Sequence, residues 1–94
     1  MYLRLVRLTL LEAGRVRAQA MASDLIPVIK QQPGCVSAAF FGGGEDGDSG
    51  VCVFWDSQEH ANAAAAVIRP MLDQHLAGNV SVEPDARLFT VLAS

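Results

Sequence analysis

The stretch VSAAFFGGGEDGDSGVCVFW, residues 36 to 55, sets two apolar runs on either side of a loop of glycines and acids. A half-buried strand should alternate apolar with polar residues. Here both faces are apolar, with Val36, Ala38 and Phe40 on one side and Ala39 and Phe41 on the other. The run predicts a hairpin of strands 35 to 42 and 51 to 55 around GGEDGDSG, in a register that pairs residue 42 with 51 and sets Cys52 opposite Phe41. A phosphate-cradling role for the glycines fails on chemistry, because the loop carries Glu45, Asp46 and Asp48, has no lysine, and joins strand to strand. The acid spacing does not fit an EF-hand loop either.

Working outward, the first ten residues alternate as a strand, Leu3, Leu5 and Thr9 on one side and Val6, Leu8 and Leu10 on the other. Arg4 and Arg7 interrupt it, one on each face, and read as edge or rim charges. From about Arg15 the spacing of Ala18, Met21, Leu25, Val28 and Ile29 is that of an amphipathic helix. Gly14 marks its entry, Pro33-Gly34 its stop, and Pro27 predicts a kink or restart inside it. After the hairpin, Asp56 and Glu59 have the spacing of a capping box. The helix that follows places Ala61, Ala64, Ala65, Ile68 and Leu72 on one face, is interrupted by Pro70 and ends at Gly78. Residues 80 to 92 form a last strand, broken at Glu83, Pro84 and Asp85 because proline donates no ladder bond.

The order β-α-β-β-α-β predicts an α+β, ferredoxin-like domain spanning 1–94, an antiparallel sheet with two helices on one face. One chain then has nothing to lay over the other face. With 94 residues it buries only about 60 to 65% of its unfolded surface, yet 51% of the residues are hydrophobic. A second copy, or a ligand, is the expected cover.

The net charge of −3 and a single lysine among scattered arginines argue against nucleic acid. The charges inside MYLRLVRLTLLEAG argue against a signal peptide, and no run is long enough for a bilayer span, so a cytoplasmic protein is expected. Cys35 and Cys52 read as small buried hydrophobes in a reducing compartment.

Chemistry is sparse. Trp55 suits a core plug or a pocket wall. His60 lies in the first turn of the second helix, with nothing near it in sequence to complete a catalytic pair, and His75 near the far end reads as structural. No catalytic triad, carboxylate pair or metal-spaced cluster is visible, so no catalytic residue, metal or cofactor is assigned.

The combination of QQPGCVSAAFF, a short loop, VCVFWDSQEHANAA and an isolated edge strand resembles the antibiotic biosynthesis monooxygenase-like family of dimeric α+β barrels. The matching positions are Pro33 and Gly34 after the first helix, and Trp55, Ser57 and Glu59 opening the second. The resemblance implies a homodimer, formed through the helix-free sheet face and the C-terminal strand. It also implies an apolar pocket between sheet and helices, with Trp55, His60, Phe40, Phe41 and Arg4 as candidate lining. The haem-degrading branch places an Asn on the first strand and a His midway along the second helix; this chain has no Asn on that strand and has Ala63 to Ala66 in that region of the helix. The implied activity is cofactor-independent oxygenation of a small aromatic, polyphenol or quinone-type substrate. The alternative is a non-enzymatic small-molecule-binding or assembly domain of the same fold.

Overall fold

The structure, a computed structural model, describes residues 1–43 and 48–94, so Glu45 and Asp46 of the expected hairpin tip lie outside the described residues. Six elements follow in order: β1 (Tyr2–Thr9), α1 (Glu12–Gln31), β2 (Cys35–Gly42), β3 (Asp48–Trp55), α2 (Gln58–Leu76) and β4 (Asp85–Thr90). The strands lie in the order β2-β3-β1-β4, and every neighbouring pair is antiparallel. This is the ferredoxin-like plan that the element order predicts.

Cross-strand pairing settles which residues share a face. Val6 pairs with Val51 and Arg4 with Val53, and these side chains point to the helices together with Leu8 and Trp55. Met21, Leu25 and Ile29 of α1 and Ala61, Ala64, Leu72 and Leu76 of α2 close over them to make the core. The alanines of α2 bring its backbone near the sheet, as a small-residue face should.

Among the described residues the opposite face carries no helix. Leu3 pairs with Phe54 and Phe89, and Leu5 and Ala39 both pair with Cys52. Phe41, 40% exposed, and Phe89, 43% exposed, extend this apolar surface to the two edge strands. Among the described residues the charges on this face are two pairs: Arg7 donates to both carboxylate oxygens of Asp48 at 3.2 and 2.9 Å, and Arg87, opposite Leu5, has Nε 3.2 Å from Asp85. The surplus of apolar residues therefore sits on one continuous face.

The structure corrects several expectations. β3 starts at Asp48, three residues earlier than expected, and Gly42 pairs with Ser49, which puts Cys52 opposite Ala39. A slip of two residues keeps each side chain on its expected face, because the side-chain period is two. An irregularity between Cys35 and Ser37 takes Val36 out of the alternation, so it is exposed and does not share the side of Phe40. Both helices run through their prolines without a restart. Pro27 and Pro70 are exposed, so water can serve the carbonyl that each leaves without a donor. Gly14 lies inside α1 rather than at its entry, and a Cβ there would sit 2.6 Å from the Asn79 carbonyl oxygen. That carbonyl accepts from Leu11 N at 2.8 Å, so glycine lets the first turn of α1 press on the segment after α2. The break expected at Glu83 to Asp85 within residues 80 to 92 is present but lies earlier, since Val80 bridges to Leu10 and Asp85 already belongs to β4, which ends at Thr90.

Candidate functional site

Between the helices and the β1, β3 and β4 strands lies a cavity of about 380 Å³. Its walls are hydrocarbon: Val6 from β1, Val51 and Val53 from β3, Leu25 and Ile29 from α1, and Ala61, Ala65, Ile68 and Leu72 from α2. Arg69, Asp73 and Glu83, all exposed, line it with Pro84 where the chain approaches β4. The volume is in the range of small-molecule sites.

Two polar groups interrupt the hydrocarbon. Trp55, the last residue of β3, is 2% exposed, and its indole Nε1 is buried without a hydrogen-bond partner. Arg4 on β1 donates from Nη2 to Asn62 Oδ1 of α2 at 3.0 Å, while its Nε is also buried and unpartnered. Buried donors are rarely left so, which marks this wall of the cavity.

The entry to α2 is built differently from the expected capping box. Ser57, in extended geometry, is the cap, and its hydroxyl accepts from His60 N at 3.2 Å. Asp56 is thereby free to turn back to His60, with Oδ1 2.6 Å from Nδ1. Its backbone N donates to the Gly34 carbonyl at 2.9 Å, and Gly34 holds a φ of 83°. The His60 hydrogen bond holds the Asp56 carboxyl below the usual carboxylate range. His60 thus has a partner that the sequence reading did not give it, but neither residue lines the cavity. His75 Nε2 lies 3.3 Å from Asp24 Oδ2 and ties α2 to α1, a structural role.

Of the sequence-derived candidates, Arg4 and Trp55 line this cavity. Phe40 lines a separate depression beside α1, Phe41 lies on the helix-free face, and His60 stands outside with Asp56. None of those three lines the cavity beside Trp55. Asn62 was missed; its signal was the only polar residue between His60 and the alanine run of α2. Burial raises the Cys35 thiol pKa, with Lys30 opposing the rise, and both cysteines are free thiols. Among the described residues no cluster of His, Cys, Asp and Glu is arranged to hold a metal ion.

No family model and no curated protein matches the sequence. Solved structures do. An antibiotic biosynthesis monooxygenase superposes with a TM-score of 0.83 at 12% identity, over 99% of this chain and 100% of that one. The chain has the fold of the antibiotic biosynthesis monooxygenases. SnoaB, a cofactor-independent oxygenase from Streptomyces nogalater, matches at a TM-score of 0.80 and 17% identity, over 99% of this chain and 94% of that one. A Nitrosomonas europaea protein of unknown function matches at 0.87 and 17%, over 99% and 90%. The likeness spans all six elements of the ferredoxin-like unit. Among the described residues no helix is long and apolar enough to cross a membrane.

Proposed function

We propose that the chain acts as a homodimer, each subunit binding a small aromatic molecule in the cavity beside Trp55 and oxygenating it without a cofactor. The observation that carries the reading is the cavity itself: about 380 Å³ of hydrocarbon-walled space lined by Trp55, whose buried N–H has no partner. An electron-rich phenol can reduce dioxygen itself. One oxygen atom becomes a quinone carbonyl, the other leaves as water, and the four electrons come from the substrate. The protein then has to exclude water, hold the ring in place and stabilise charge on its oxygen, work that Trp55, Arg4 and the aliphatic walls can do. The fold shared with a cofactor-independent oxygenase supports the same reading. The second subunit would cover the face formed by Leu3, Leu5, Cys52 and Phe54, with β4 and the C-terminal residues beside it.

One observation favours a second reading, binding without turnover. Among the described residues that line the cavity, the only acids are Asp73 and Glu83, both exposed. No carboxylate or imidazole therefore stands inside as a general base. The experiment is oxygen consumption with a hydroxynaphthalene substrate, for the wild type and for Trp55→Phe. The proposal expects consumption that drops in the variant; an equal rate in both removes the role given to Trp55. Ligand-dependent melting with no oxygen uptake would establish the binding reading instead.

A further inference from the structure

Of the charged residues that line the cavity, Arg4 is half-buried while Arg69, Asp73 and Glu83 are exposed. The hydrogen bond of Arg4 goes to Asn62, a neutral amide, and among the described residues it takes part in no ion pair. Asp73 and Glu83 share the lining but do not reach it. A half-buried guanidinium without a counter-charge is costly to keep, and so is an indole N–H buried without an acceptor. The two lie on one face of the sheet: Arg4 pairs with Val53, and Trp55 is the next residue of β3 on that side. Diagonal neighbours of this kind are close enough for long and aromatic side chains to meet at one point. Each presents a buried donor with no partner, Nε of Arg4 and Nε1 of Trp55.

We propose that Arg4 and Trp55 form an oxyanion receptor, and that the cavity takes a flat, apolar monoanion: an aromatic carboxylate or an ionised phenol. The charged oxygen accepts from the two donors, and the ring lies against Val51, Val53, Ile29 and Leu72. Two donors, one of them cationic, fit a delocalised oxyanion. A cation would be repelled, and a neutral ring would leave the guanidinium uncompensated. Asn62 is a positioning residue, because its carbonyl holds one arm of the guanidinium and leaves Nε for the ligand. The inference rests on the reading of the cavity as the ligand site, but not on oxygenation.

The test is isothermal titration with probes that need no turnover. 2-Naphthoate is compared with 2-naphthamide, its neutral isostere, and 4-nitrophenol is titrated below and above its ionisation. One charge-assisted hydrogen bond is worth roughly a factor of ten or more, so the carboxylate or the phenolate should bind at least that much more tightly than its neutral form. Preference for 2-naphthoate assigns the carboxylate source; 4-nitrophenol affinity that rises with ionisation assigns the phenolate. Arg4→Met, which keeps the stem and deletes the charge, should bring the ratio close to one. Trp55→Phe, which keeps an aromatic ring without the donor, should lower it and serves if Arg4→Met does not fold. Equal affinity for charged and neutral probes, a ratio unmoved by these variants, or no binding of any probe at millimolar concentration would overturn the receptor. Anion preference without oxygen uptake keeps the receptor and removes the oxygenase; oxygen uptake without anion preference does the reverse.

Discussion

Gly34→Ala should destabilise the fold through two separable effects. The residue has a φ of 83°, a left-handed conformation in which any Cβ crowds the following carbonyl. That backbone effect costs about 1–2 kcal/mol, and in a domain of this length each kcal/mol lowers the melting temperature by roughly 4–8 °C. The expected drop is thus roughly 5–15 °C from the backbone alone. The second effect is steric: a Cβ at Gly34 would sit 2.5 Å from His60 Cγ and closer still to Nδ1 and to Asp56 Oδ1. The Asp56–His60 pair must therefore part, deepening the loss. Trp55, the only tryptophan and 2% exposed, reports unfolding by its fluorescence. Repeating the substitution in an Asp56→Ala, His60→Ala background removes the steric effect and leaves the backbone one. An unchanged melt in the wild-type background would refute the argument as a whole. A cost that vanishes in the pair-deleted background would refute its backbone half.

Three further outcomes are expected. Asp56 has a folded pKa held below its ordinary 3.8 by the His60 hydrogen bond, so its contribution is present above that value and is lost as pH falls through the folded one; melts of wild type and Asp56→Asn from about pH 6 to pH 3 should converge at the acid end. Ala65→Leu fills part of the cavity from α2 while both donors are retained, so ligand binding should weaken by roughly tenfold or more while the melting temperature holds or rises, because the new methyl groups occupy empty space. Phe54→Asp puts a charge on the helix-free face, opposite Leu3; if that face pairs two copies as proposed, sedimentation at micromolar concentration should show a dimer for the wild type and a monomer for the variant, and equal sedimentation coefficients would send the search for an interface elsewhere.

The element order and the two-sided apolar strands were legible because hydrophobic periodicity is set by each residue and its near neighbours. The hairpin register was not, since a loop of glycines and acids imposes no single turn geometry. Pro27 misled for a related reason: a proline on the exposed side of a 20-residue helix loses one bond that water can replace, and packing of Met21, Leu25 and Ile29 carries the helix through. The site was read least well where side chains meet across elements. Arg4 read as a rim charge from its strand alone and as pocket lining from the resemblance; its pairing with Val53 puts it on the helix side, and Asn62 had meaning only once Arg4 was there. His60 found Asp56 because the cap moved to Ser57, a shift of one residue that propensity does not resolve. Adjacent in sequence, Phe40 and Phe41 belong to opposite faces by the alternation of β2, so no single pocket could claim both.

The segment from Ser81 to Pro84 is pinned at both ends, by the Leu10 and Val80 bridge and the Ser81 N to Thr9 O bond of 3.3 Å on one side and by Asp85 opposite Arg7 on the other. A span of four residues between two sheet anchors has little slack, so it is a fixed frame rather than a hinged door. A ligand entering the cavity should then be paced by rotamers of Arg69, Asp73 and Glu83, which change in picoseconds to nanoseconds, and not by slower backbone opening. Ligand exchange through such a frame should follow simple one-step kinetics, with an association rate that grows linearly with ligand concentration and shows no plateau.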